Sequence, residues 1–126
     1  DAHPDVGKTY VGMATVYHRQ SKHDLAFEYH EKALAILLNT FGDAHPDVGR
    51  TYANMSNFYM RQSKHDLALE YHEKALAILL NAFGDADPDV GTTYHNMSNV
   101  YLCQSKTDLA LEYLEKALVI LLNAFG

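Results

Sequence analysis

The residues of this chain most able to do chemistry are its eight histidines, and two pairs of them stand at a notable spacing. His23 and His30, and likewise His65 and His72, are seven apart, about two helical turns, so each pair would share one helix face. Two imidazoles on one face make half of a metal site. The other half is missing, because no Cys or carboxylate is locked to the spacing and Thr107 and Leu114 hold the corresponding places further along. A zinc site needs three or four ligands in fixed register, so packing or surface roles are expected for these side chains and no metal ligand is assigned. The lone Cys103 has no His or Asp placed to activate it and reads as a passive thiol. Glu28 and Glu31 recur in every copy beside Lys32, which reads as a solvated, charge-paired outer face rather than an acid and base pair. Gly7, Gly49 and Gly91 are isolated and form no phosphate loop. Neither an enzyme nor a cofactor has residues to rest on.

The elements that would position these side chains follow from a strict internal repeat. Residues 1–42, 43–84 and 85–126 align without a gap, with 33 identities of 42 between the first and second copies and 33 again between the second and third. A fixed period at this level specifies a stacked array. Within one copy Val6, Tyr10, Met13 and Tyr17 recur at helical spacing, which predicts a first helix from about Pro4 to Gln20. Pro4 suits its first position and Asp5 favours its positive end. Ser21-Lys22-His23-Asp24 breaks the pattern, and Ser21 with Asp24 has the spacing of a capping box for a second helix. That helix carries Leu25, Ala26, Tyr29, Ala33, Leu34, Ile36, Leu37, Leu38 and Phe41, more than one stripe, so it must be covered both by its partner and by the next copy. Gly42 is expected to close it in a left-handed cap, and Pro46 opens the next copy. The reading is one all-α array domain of three helix-turn-helix repeats, cut from a longer array.

At 126 residues and 48% hydrophobic, the chain can fold without metal or disulfide, and a single cysteine permits no internal disulfide. It lacks a signal-peptide start and an apolar run long enough for a bilayer, so a cytoplasmic location is expected. A net charge of −6 argues against nucleic acid as a partner, and no membrane is expected either.

Tyr17, Gln20, Ala26, Glu28, Tyr29, Lys32, Ala33 and Leu34 stand where a tetratricopeptide repeat has its signature positions, and Tyr59, Ala68, Ala75, Leu76, Tyr101, Ala110, Ala117 and Leu118 repeat the pattern. With its link FGDAHPDVG, the chain resembles the 42-residue variety found in kinesin light chains and in sensor arrays attached to nucleotide-binding switch proteins. It departs from the pattern in having Ser21, Ser63 and Ser105 for the usual Gly in the turn, and in lacking the usual Pro after the second helix. The resemblance implies a right-handed α-solenoid that binds a protein or peptide on an inner surface lined by first helices. Those linings map to Lys8, Val11, Thr15, His18 and Arg19, then Arg50, Ala53, Asn57, Met60 and Arg61, then Thr92, His95, Asn99, Leu102 and Cys103. Asn57 and Asn99 stand where the family grips a peptide backbone, and Asn54 and Asn96 match its second asparagine.

Differences among the copies point to the same surface. Fourteen of the 42 positions vary, and eight of these fall among the twelve from Lys8 to Arg19. All 16 acidic residues lie outside 8–19, 50–61 and 92–103, whereas Lys8, Arg19, Arg50 and Arg61 lie inside. The groove is therefore expected to be basic and to hold an extended, acidic or polar peptide. Two rival readings are a purely structural array that associates head to tail through uncapped terminal helices, and the sensor arm of a switch protein.

Overall fold

Each first helix starts where the residue ahead of it can satisfy a free amide. Pro4, Pro46 and Pro88 occupy the first turn, and the side chains of His3, His45 and Asp87 accept from the backbone amides of Asp5, Asp47 and Asp89 at 3.1, 3.1 and 2.8 Å. Six helices result among the described residues: α1 (Pro4–Arg19), α2 (His23–Phe41), α3 (Pro46–Arg61), α4 (His65–Phe83), α5 (Pro88–Cys103) and α6 (Thr107–Phe125). The computed structural model describes residues 3–126, so the expected first boundary at Asp1 lies outside the described residues.

The turn between paired helices differs from the expected capping box. Ser21, Ser63 and Ser105 take φ of 61°, 59° and 61° and end the first helices rather than capping the second. The Ser21 amide donates to His18 O and the Lys22 amide to Tyr17 O, the paired bonds of a Schellman cap, and the other two turns repeat them. Serine thus fills the left-handed position that glycine takes without strain. The second helices have Lys22, Lys64 and Lys106 at the N-cap position, with no side-chain cap. They stop at Gly42 and Gly84, whose φ of 79° and 78° with ψ of −176° and −173° is a region reserved for glycine, more extended than the expected left-handed cap.

Every helix packs on its neighbours in chain order, α1 on α2, α2 on α3 and so on to α6. Alanines at Ala26, Ala33, Ala68, Ala75, Ala110 and Ala117 are buried and let the helices approach closely. At Gly49 an added Cβ would stand 3.0 Å from Ile78 Cγ2, so that first helix needs glycine to lie against α4. Between repeats, Phe27 stacks on Phe58 with ring centroids 4.2 Å apart, and Leu79, Val90 and Ile120 form a common cluster. Second helices are covered on both sides where a following repeat exists, as their width required. The expected pairing on their outer face is present: Lys32 reaches Glu28 at 3.5 Å and also lies over the Tyr29 ring at 4.7 Å.

The end helices differ from the inner ones because each has a neighbour on one side only. Val6 is 41% exposed in α1, whereas its equivalents Val48 and Val90 are fully buried against the preceding second helix. In α6, Leu111, Leu118, Val119, Leu122 and Phe125 are all exposed.

Candidate peptide-binding groove

Helices α1 and α3 line up with their variable residues toward a common cleft floored by α2. Two cavities lie along it. The lower, of about 280 Å³, is lined by Lys8, Val11, Leu37, Asp47, Arg50, Thr51 and Asn54. The upper, of about 160 Å³, is lined by Thr15, His18, His30, Asn54 and Asn57. The structure therefore brings together Lys8, Val11, Thr15, His18, Arg50, Asn54 and Asn57 of the expected lining. Arg19 and Arg61 are exposed at the ends of α1 and α3, while Ala53 and Met60 are half-buried. On α5, Thr92, His95, Asn99, Leu102 and Cys103 are exposed and Asn96 is half-buried.

The charge of the groove is less uniform than the sequence reading implied. Arg50 Nη1 is held by Asp47 at 3.1 Å and its Nε by Asp89 at 3.1 Å, so acids from the first turns of α3 and α5 offset its charge, and Asp47 itself lines the lower cavity. The Asp47 contact is an i, i+3 helix pair open to sequence reasoning. The Asp89 contact spans 39 residues and exists only because α5 stacks beside α3. At the upper end no carboxylate lines the cavity, and Arg61 stands close enough to His18 to help hold its imidazole below the usual range, after the larger effect of desolvation.

His30 is the floor residue, for which the sequence predicts a packing or surface role. It is buried, as a packing role requires, but it also lines the upper cavity. Its Nδ1 is buried without a hydrogen-bond partner. Burial, and secondarily the charge of His18, lower its affinity for a proton. The equivalent His72 is different. Ser56 Oγ lies 3.0 Å from both of its ring nitrogens while donating to Ala53 O, so the hydroxyl can accept from either tautomer. Burial pushes His72 down to about 4. The signal that separates the two histidines is one varying residue, Ala14 against Ser56. Beyond these pairs the histidines make no metal centre: no group of three or more His, Cys, Asp or Glu among the described residues could hold an ion.

Further from the groove, tyrosines tie the helix pairs together. Tyr59 packs on Tyr71 with centroids 5.1 Å apart, and burial together with the Tyr71 hydroxyl pushes its phenol up to about 12. Tyr101 and Tyr113 repeat the arrangement. No helix among the described residues is long and apolar enough to cross a membrane.

Known proteins share this architecture. The tetratricopeptide repeat family model matches residues 5–59 and again residues 50–122. The crystal structure of BtubC (BKLC) from P. vanneervenii is similar at a TM-score of 0.88 and 26% identity, over 95% of this chain and 48% of that one. The nearly identical TPR-like repeats of a kinesin light chain-type protein from Podosopora anserina share the fold at a TM-score of 0.80 and 22% identity, over 95% and 57%. The N-terminal domain of stress-induced protein-1 from C. elegans does so at 0.73 and 16%, over 95% and 87%. The chain thus spans about half the length of the first two. Comparison with curated proteins returns no match. With paired helices, Tyr and Ala at the signature positions, and a family match over nearly the whole length, the chain belongs to the tetratricopeptide repeat family.

Proposed function

We propose that this chain is a protein-interaction scaffold, without catalytic activity, that holds an extended acidic or polar peptide segment in the groove lined by α1, α3 and α5. Tetratricopeptide repeats generally mediate contacts between proteins, and the finer reading rests on one observation. The residues that vary among otherwise uniform repeats converge on two adjoining cavities, where Asn54 is shared and Asn57 and Lys8 stand at either side. An amide both donates and accepts, so paired asparagines can hold a peptide backbone whatever its side chains. Arg61 supplies charge at the upper end, since Arg50 is already engaged by Asp47 and Asp89.

Fluorescence anisotropy with a labelled, capped peptide containing several glutamates tests this. Asn54→Ala with Asn57→Ala is expected to weaken binding on the order of tenfold or more through two lost backbone contacts. Arg61→Glu is expected to do so for acidic peptides and much less for neutral ones. Binding that is unchanged in both variants would remove the groove from the argument.

A second reading is favoured by α6. Its exposed Leu118 and Leu122 correspond to Leu76 and Leu80 of α4, which pack against the cluster containing Val90 of α5, and the face of α1 carrying Val6 and Val16 is the complementary half. A second copy could therefore stack head to tail. Light scattering over a wide concentration range decides it, because a monomer at the highest concentration would exclude such stacking.

A further inference from the structure

His30, which lines the upper cavity, carries a buried ring nitrogen with no partner, whereas the equivalent histidine of the next repeat is paired. His30 is 8% exposed and its Nδ1 has no partner, although leaving a buried ring nitrogen unpaired is destabilising. In the second repeat the same position is completed internally by Ser56, and in the third it is Leu114, which needs no partner. Only the first repeat pairs a histidine with an alanine, Ala14, at the adjoining place.

The surroundings favour one kind of ligand. Asn54 and Asn57 present amide donors, and Thr15 spends its hydroxyl proton on Val11 O at 3.0 Å. From α1 the ring of His18 faces the cavity, and its centroid lies 5.0 Å from that of His23 on α2. From α3 the nearest charge is the Arg61 cation, which acts on His18. No acid among the described residues lines the space, so a carboxylate would meet donors without a repelling partner there.

We propose that this cavity is a proton-linked carboxylate subsite: an Asp or Glu side chain of the bound segment enters between α1 and α3, accepts from Asn54, Asn57 and His30, and takes up one proton onto the His18 and His30 imidazoles as it binds. The proposal rests on the groove reading and names the side-chain chemistry of one position in it. In the unliganded chain desolvation lowers the proton affinity of both imidazoles, and the Arg61 cation adds to this at His18. An incoming anion opposes those effects, so the bound state holds more protons than the free state. Affinity must then rise as pH falls below neutrality, by at most about one decade per pH unit for one proton.

The probes are a capped pentapeptide with a central Glu and its Gln counterpart, with affinities measured at pH 7.5, 6.5 and 5.5. Histidine ring C–H resonances are followed by NMR in the same samples. The intact chain is expected to bind the Glu peptide roughly tenfold more tightly at pH 5.5 than at 7.5, with His30 titrating at higher pH when bound, and to bind the Gln peptide with no such trend. His30→Leu, which reproduces the third repeat, should remove the pH dependence. Ala14→Ser, which reproduces the second repeat and gives His30 an internal partner, should reduce it. Both variants place in the first repeat a side chain that another repeat already accommodates, and unfolding midpoints confirm their integrity. A Glu peptide bound equally at all three pH values, or a pH dependence intact in His30→Leu, would overturn the subsite while leaving the groove. No binding of either peptide at any pH would overturn the groove reading itself.

Discussion

The first and second repeats carry almost the same second helix, yet the same histidine lives two different lives in them. His72 in α4 is sealed and paired with Ser56, whereas His30 in α2 meets Ala14 and faces a cavity. The difference comes from the first helices, where the copies vary most. A buried polar residue is structural or available according to one neighbour across the helix pair, even when its own helix is unchanged. The outer faces teach a related lesson, since Val6 and Val48 have the same flanking sequence and differ only in whether a second helix precedes them.

The largest expected effect on that comparison is acid. The unfolded His72 imidazole takes up a proton near 6.5 and the folded one resists until about 4, so protons favour the unfolded chain. Stability is full above about pH 7 and is lost as pH falls from 6.5 toward 4, by about 3 kcal/mol from this residue. Urea unfolding at pH 7.5, 5.5 and 4 measures it, and His72→Leu should flatten the acid limb. An unaltered limb would show that His72 is not the group responsible.

Next in size is the hydroxyl that distinguishes the repeats. Ser56→Ala should cost about 1–3 kcal/mol by leaving His72 unpaired, while Ala14→Ser should be neutral or stabilise by up to about 1 kcal/mol. An unchanged midpoint in Ser56→Ala would mean that the Ser56 contact is incidental. The turns, alike in all three repeats, offer a control. Ser63→Gly should relieve a left-handed serine and stabilise by about 1 kcal/mol, visible as a raised unfolding midpoint. The smallest effect is expected at Arg50, where replacement by Ala breaks exposed bridges to Asp47 and Asp89 worth about 0.5 kcal/mol together. A larger loss there would make the bridge to α5 a principal brace between repeats.

Much of the fold was readable in advance because periodicity is a one-dimensional property. Val6, Tyr10, Met13 and Tyr17 declare a helix by spacing alone, and the width of the apolar face of α2 demands a neighbour on each side. The turn was misread at Ser21, because a Ser followed three residues later by an acid resembles a cap when the backbone angle is unknown. The groove residues from Lys8 to Asn57 were recognisable by their variation. Their charges were not, since Arg50 is neutralised by an Asp89 that lies 39 residues away.

The repeat, the helices, their order and their family were determined by the sequence itself, because closely similar 42-residue units with the same apolar faces can bury them only by stacking. The tertiary structure decided which of two matching histidines is satisfied, which arginine is already paired, and where the variable residues enclose a space. Those outcomes depend on distances between helices whose residues are far apart in the chain, and local pattern does not encode them.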